Sequence, residues 1–249
     1  PLDIWSDLPG FRNNYAKRIE DLRAESPAVE GVDSYDHEVD VDLLTGVNVR
    51  VYRPADQKFN LPAMLWLHGG GDCLGSVQID DEFVRKMVKI IGCVVVSVDY
   101  RLAPENRFPG ALDDAYAVLK WIYAEANGLS IDADRLAVGG FSAGAGLAAG
   151  VALAARDRGE VKLIFQSLWC PMLDDRNNYV SSFAINDPRV WSRDDNLRAW
   201  RAYLGRDGGG KDTSAYAAPC RALDLTGLPP VYMRVGSLDL FLDENTAYA

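Results

Sequence analysis

Strand-length apolar segments alternate with helix-length segments along most of this 249-residue chain. The buried strands are predicted at 63–68, 93–98, 135–139, 161–168 and 229–236, with helices at about 80–91, 111–127 and 143–157. An amphipathic helix at 11–24 and a hairpin of two strands, 35–42 and 47–53, turning at 43–46, precede them. Such alternation predicts a single α/β domain with a mostly parallel, doubly wound sheet and right-handed crossovers.

One strand-to-helix junction carries a serine between two glycines, Gly140-Phe-Ser-Ala-Gly144. A turn this sharp leaves little room for side chains at positions 140 and 144, and it holds Ser142 in a strained conformation with its hydroxyl exposed. This arrangement is typical of a nucleophile elbow. The alternative is a glycine-rich turn that only packs a helix on the sheet.

A second glycine-rich loop, His68-Gly69-Gly70-Gly71, follows the strand at 63–68. Successive glycines leave backbone N–H groups bare, and such groups can stabilise an oxyanion. We therefore expect the N–H groups of Gly70 and Gly71 to form an oxyanion hole with that of Ala143, while His68 and Gly69 support the loop. The alternative for this loop is simple flexibility.

These motifs resemble those of the hormone-sensitive-lipase-like branch of the α/β-hydrolases, which includes many carboxylesterases. The resemblance covers most of the chain, because two further segments match in the right order: Val98-Asp-Tyr-Arg-Leu-Ala-Pro-Glu105 with Phe108-Pro109 and Asp113-Asp-Ala115, and Val235-Gly-Ser-Leu-Asp239. Two positions of the elbow depart from the family pattern, since Phe141 replaces an aspartate and Ala145 a glycine. In the acid loop, Leu240 replaces a proline.

The resemblance implies a Ser-His-Asp mechanism without any metal or other cofactor. Ser142 would be the nucleophile, and Asp239 would orient the histidine that acts as the base. Asp243 is expected to cap the helix that starts there, while Asp99 and Asp174 are expected to be structural. The resemblance also implies a cap made of residues 1–30 and 174–205, where Phe183, Trp191, Trp200 and Tyr203 either line an apolar site or fix the insertion to the core.

No histidine follows Asp239, where the catalytic base is expected in this fold. The sequence contains two histidines, His37 and His68, and both precede Ser142, whereas the base follows the acid in this fold. His37 lies in a predicted edge strand and is expected to be structural. We therefore expect a further C-terminal segment, with the last strand, a helix and the histidine loop, that is disordered, cleaved or otherwise outside these residues.

Composition excludes several classes of partner. The chain has 36 acidic and 26 basic residues, a net charge of −10, which disfavours nucleic acid and anionic membranes. Its four cysteines show no C-x-x-C spacing, so we expect free thiols in a reducing, cytoplasmic compartment. The apolar stretches are strand-length, which predicts no membrane span. The sequence leaves open whether the protein forms a homo-oligomer.

These observations predict a serine carboxylesterase that hydrolyses small, short-acyl esters. Two alternatives remain: a catalytically silent protein that binds a small ligand in the same fold, and an amide or lactone hydrolase or acyltransferase that uses the same site.

Overall fold

The computed structural model describes residues 4–25, 28–41, 46–56, 59–185, 187 and 189–249. Seven of its strands form one sheet in the order β1-β2-β4-β3-β5-β6-β7. In chain order these are β1 (Val32–Asp40), β2 (Gly46–Pro54), β3 (Leu61–Leu67), β4 (Val94–Val98), β5 (Ile131–Phe141), β6 (Leu163–Trp169) and β7 (Val231–Arg234).

Parallel pairing joins β4, β3, β5, β6 and β7, whereas β1 pairs antiparallel with β2 and β2 antiparallel with β4. The prediction of a mostly parallel sheet is therefore confirmed, as is the pairing of the predicted hairpin strands. Residues 42–45, which contain most of the predicted hairpin turn, lie outside the described residues.

Helices lie between consecutive strands at the three places where the alternation predicted them, and others lie before the sheet, in the 174–205 segment and after the last strand. They are α1 (Leu8–Glu25), α2 (Asp81–Ile91), α3 (Gly110–Ala124), α4 (Ala143–Arg158), α5 (Val180–Ala184), α6 (Arg193–Leu204) and α7 (Leu242–Tyr248). Within the described ranges, none of these helices is both long enough and apolar enough to cross a membrane.

The central strands of the sheet are buried on both faces, as strands of parallel sheets generally are, whereas the edge strands β1 and β7 are largely exposed. All five residues of β4 are buried, and Val94, Val96 and Val98 belong to a different apolar cluster from Val95. The larger cluster includes residues of α3 and α4, and the smaller one includes residues of α2. Helices therefore cover the sheet on either side, in agreement with a doubly wound arrangement.

Helix α4 is the most deeply buried helix element around the sheet, because every residue from Ala143 to Ala155 is buried. Its small side chains let neighbouring backbone come very close. A Cβ atom added at Gly146 would lie 2.0 Å from the carbonyl oxygen of Met172. The run of alanine and glycine thus sets how tightly this helix packs.

Parallel pairing brings the carboxyl ends of β3, β5, β6 and β7 to the same edge of the sheet. The glycine loop follows β3, Ser142 follows β5, and the segment 235–241 follows β7. Open α/β sheets bind ligands at this edge.

Candidate active site

Ser142 occupies a strained turn between β5 and α4, as the elbow motif predicted. Its backbone angles are φ 53° and ψ −120°, outside the regions that non-glycine residues favour. The surroundings hold the turn in place, since the Ser142 N–H donates to the carbonyl of Trp169 at 2.8 Å and its carbonyl accepts from the Met172 N–H at 3.1 Å. This conformation puts the serine at the start of a helix and at the edge of the sheet.

The elbow and the glycine loop are packed backbone against backbone. A Cβ atom at Gly144 would lie 2.2 Å from the carbonyl oxygens of both Leu67 and His68. A Cβ atom at Gly69 would lie 3.4 Å from the Ser142 Cβ. Glycine at these positions therefore lets the loop approach the serine closely.

The carbonyl groups of the glycine loop are turned inward by hydrogen bonds. The Gly69 carbonyl accepts from His68 Nδ1 at 2.8 Å, and the Gly70 carbonyl accepts from the N–H groups of Cys73 at 3.1 Å and Leu74 at 2.9 Å. In a trans peptide the C=O and N–H point in opposite directions, so the N–H groups of Gly70 and Gly71 face away from these bonds.

The three N–H groups that the sequence predicts for an oxyanion hole donate to no acceptor in the described part of the chain. They belong to Gly70, Gly71 and Ala143. Gly70 and Gly71 adopt positive φ values of 129° and 60°. These are conformations that glycine adopts at low cost, which explains why the loop carries glycine here.

His68 supports this loop from below. Its ring is fully buried and stacks on Tyr100, with ring centroids 4.3 Å apart, and the Tyr100 hydroxyl donates to the His68 carbonyl at 2.7 Å. Burial lowers the pKa of His68, which favours the neutral ring. Because a carbonyl only accepts, Nδ1 must carry the proton that it donates to Gly69.

Ser142 and Asp239 line the same cavity, which has a volume of about 410 Å³. The Asp239 Oδ1 accepts from the Phe241 N–H at 3.0 Å, and burial raises the pKa of this carboxyl. The other lining residues are mostly apolar: Cys170, Ile185, Val190, Trp191, Gly236, Leu238, Leu240 and Phe241. A larger cavity of about 550 Å³ lies where α4 ends and β6 begins, at the end of α4 opposite Ser142, and no serine, cysteine or histidine lines it.

Neither histidine of the sequence lines the cavity of Ser142. His37 lies on β1 at the opposite edge of the sheet from β7, where its ring stacks on Trp121 at 5.0 Å. His68 is committed to the Gly69 carbonyl. The described residues therefore bring together the predicted nucleophile, oxyanion loop and acid, without a base.

The aromatic residues predicted for the cap separate into different environments. Trp191 lines the cavity, and a Cβ atom at Gly71 would lie 2.4 Å from its ring. Trp200 and Tyr203 are buried in the main apolar cluster, so they fix the insertion to the core, and Phe183 is 61% exposed. The prediction that such residues line the site thus applies to Trp191.

The other aspartates are held by local bonds. Asp174 pairs with Arg176 at 2.5 Å, and the Asp99 Oδ1 accepts from the Val77 N–H at 3.1 Å, in agreement with structural roles. The expectation that Asp243 caps the helix beginning there was wrong. It lies inside α7, and its Oδ2 accepts from the Ser181 N–H of α5 at 2.8 Å.

The structure explains why Phe141 occupies a position where the related family usually has aspartate. Its ring packs against Trp66, Phe83 and Trp169, with centroids 5.0–5.6 Å apart. An aspartate here would place a charge among three aromatic rings. The motif alone could not reveal this cluster, because its members come from four separate elements.

Comparisons with known proteins agree with this fold. Residues 64–249 match a family model described as the alpha/beta hydrolase fold. Carboxylesterase NlhH of Mycobacterium tuberculosis is 39% identical over 221 residues, which cover 85% of this chain and 66% of that protein. The chain thus spans just under two thirds of the length of this curated relative.

Two further similar proteins carry different functional names, one an esterase and one a receptor. The structure of a bacterial heroin esterase superposes with a TM-score of 0.93 at 42% identity, covering 98% of this chain and 78% of that chain. Gibberellin receptor GID1C of Arabidopsis thaliana is 31% identical over 285 residues, which cover 100% of this chain and 82% of that protein. With a family match along about three quarters of its length and esterases among its relatives, the chain belongs to the hormone-sensitive-lipase-like branch of the α/β-hydrolases.

Proposed function

We propose that the protein containing this chain is a carboxylic ester hydrolase with Ser142 as its nucleophile. The observation that carries this proposal is the strained Ser142, which shares a cavity with Asp239 and packs directly against the glycine loop. A serine without a catalytic role would have little reason to retain a conformation that costs about 1–3 kcal/mol. The esterases among its relatives support the same activity.

The reaction proceeds in two steps through an acyl-enzyme. The Ser142 hydroxyl attacks the ester carbonyl while a base takes its proton, and the N–H groups of Gly70, Gly71 and Ala143 stabilise the oxyanion. The tetrahedral intermediate then collapses, and the alcohol leaves with the proton from the base. Water attacks the acyl-serine in the same way and releases the carboxylic acid.

Because neither His37 nor His68 lines this cavity, we propose that the base of this mechanism is a histidine from outside these 249 residues. Asp239 would orient that histidine and stabilise its charged form. Its own surroundings suit this role, because a half-buried carboxylate facing a cavity gains from a cationic partner. No metal or other cofactor is needed for any step.

The substrates that fit best are small esters with an apolar acyl group. Ile185, Val190, Trp191 and Leu240 give the cavity an apolar lining, and about 410 Å³ is space for a compact molecule. Four free cysteines further support a reducing, cytoplasmic compartment for the protein.

A fluorophosphonate probe tests the nucleophile on the natural polypeptide that contains this sequence. We expect one label on Ser142, loss of that label in Ser142→Ala, and turnover of p-nitrophenyl acetate that exceeds turnover of a long-chain ester. A folded protein that neither reacts with the probe nor hydrolyses any ester would refute the proposal.

A second candidate function is binding of a small ligand without turnover. It is favoured by the similarity to a receptor over the whole chain, and by a Ser142 cavity that no histidine of the described residues lines. Saturable binding of a small carboxylic acid or ester, with no product formed and no labelling of Ser142, would support it over hydrolysis.

A further inference from the structure

Arg12 joins helix α1 to the segment that follows the oxyanion glycines. Its Nε donates to the Cys73 carbonyl at 2.7 Å and its Nη2 to the Ala103 carbonyl at 2.6 Å. Glu105 accepts two more bonds from the same guanidinium, at 2.9 and 3.0 Å. This planar group therefore has four bonds in a defined orientation, which a surface arginine rarely has.

The bond to Cys73 continues through two peptide groups to the oxyanion loop. The peptide between Cys73 and Leu74 accepts from Arg12 at its C=O and donates from its N–H to the Gly70 carbonyl at 2.9 Å. The Gly70 carbonyl belongs to the same peptide as the Gly71 N–H, which points the opposite way. Chains of hydrogen bonds polarise one another, so a positive charge at one end strengthens the donor at the other.

A second set of hydrogen bonds holds the Gly70 carbonyl in place. The Ala103 N–H donates to the Asp72 carbonyl at 2.8 Å, and the Cys73 N–H, in the same peptide as that carbonyl, donates to Gly70 at 3.1 Å. Arg12 binds the carbonyl of Ala103 as well. Arg12 thus also fixes the position of Ala103, whose backbone holds the 70–73 turn, while the route through the Cys73–Leu74 peptide is the unbroken chain of hydrogen bonds to the peptide that carries the Gly71 N–H.

We propose that Arg12 is a positioning residue of the oxyanion hole, which orients and polarises the Gly71 N–H through the Cys73–Leu74 peptide. This inference rests on the proposed hydrolase function, and it gives α1 a part in catalysis. The guanidinium does not touch the substrate. Its effect is greatest when negative charge develops on the carbonyl oxygen, because that is when the donor is needed.

Arg23 of the same helix provides a matched control. It binds Asp81 at 3.1 Å and also bonds to Gln78, so it attaches α1 to the body of the protein as Arg12 does. Neither of these contacts reaches residues 69–75. Replacing Arg23 removes the same charge from the same helix while leaving the route to Gly71 in place.

The kinetic test compares Arg12→Met, Arg12→Lys and Arg23→Met in the natural full-length polypeptide, with a neutral chromogenic ester. We expect Arg12→Met to lower kcat about 10- to 100-fold with KM nearly unchanged, because removal of one oxyanion donor costs about 10²–10³-fold. Binding of a trifluoromethyl ketone, which forms an oxyanion on the serine, should weaken by a similar factor. Arg12→Lys should recover part of the loss, and Arg23→Met should stay within about threefold of wild type.

Hydrogen exchange gives a readout that does not depend on turnover. The amides of Cys73 and Leu74 should lose protection in Arg12→Met and keep it in Arg23→Met. The inference is overturned if these amides stay protected, or if kcat falls equally in both methionine variants or in neither. An inactive, unlabelled wild type would refute the proposed function instead, and exchange would still decide whether Arg12 holds the loop.

Discussion

Replacing Gly144 by alanine tests whether the elbow and the oxyanion loop must touch through bare backbone. The added Cβ would lie 2.2 Å from the carbonyl oxygens of Leu67 and His68, whereas real Cβ atoms essentially never come within 3.0 Å of a neighbour. At least about 0.8 Å must therefore open between α4 and the end of β3. Backbone atoms of a buried strand cannot rotate away as a side chain would.

This displacement lies directly between the nucleophile and its oxyanion donors. Misplacement on the order of 1 Å costs about 10²-fold in rate, which corresponds to about 2.7 kcal/mol of transition-state stabilisation. The assay is kcat for a neutral chromogenic ester, measured on the full-length protein together with its thermal midpoint. Labelling by a fluorophosphonate should slow by a similar factor.

Gly159→Ala, at the other end of α4, separates catalytic geometry from stability. Gly159 has φ +66° and open space around its Cβ position, so alanine there is strained by about 1–2 kcal/mol without touching the site. We expect this variant to lose thermal stability and to keep its kcat. If Gly144→Ala hydrolyses the ester within about threefold of wild type, the close contact is not what sets the oxyanion geometry.

Three further predictions concern charge and packing. Asp239→Asn should lower kcat about 10⁴-fold with the fold intact, and a loss below tenfold would contradict its role as the acid. Burial raises the pKa of Asp72 to about 7, so the folded protein holds this proton more tightly than the unfolded chain does. Its contribution to stability is therefore present below about pH 4 and lost as the pH rises towards 7, by at most about 1.4 kcal/mol per pH unit. Asp72→Asn should remove this slope from urea unfolding measured between pH 5 and 8, and an unchanged slope would exclude Asp72 as its source. Phe141→Ala, which removes the ring contacts to Trp66 and Trp169, should lower the free energy of unfolding by about 2–4 kcal/mol, and a loss below 1 kcal/mol would show that the cluster is not tightly packed.

The elements of this fold could be predicted from local pattern because their apolar periods are simple. The five buried residues of β4 and the alanine-rich run of α4 each identify one element without knowledge of the rest. Ser142 could be located because the turn that strains it requires glycine two positions away on either side. The whole signal therefore lies within five consecutive residues. Helix and strand boundaries shifted by a few residues, as in β5, which begins at Ile131.

Contacts between distant segments could not be predicted in this way. Arg12 bonds to a carbonyl 61 positions away, and any side chain can meet a backbone carbonyl, so no residue pairing marks the contact. The same applies to Trp191, which was one of four aromatic candidates until its contact with Gly71 distinguished it. Asp243 was misassigned because its partner, Ser181, belongs to a helix 62 positions earlier in the chain.

The burial of α4 on all its sides bears on how this protein can change over evolution. From Ala143 to Ala155 no position offers a surface where a larger side chain could be added without moving a neighbour. Random mutagenesis should therefore yield few surviving variants in this helix. New substrate preferences should instead accumulate at residues such as Val190 and Leu238, which line the cavity while exposing more than half of their surface. A selection for altered specificity would thus leave the sequence of α4 almost invariant, while the exposed residues that line the cavity would vary.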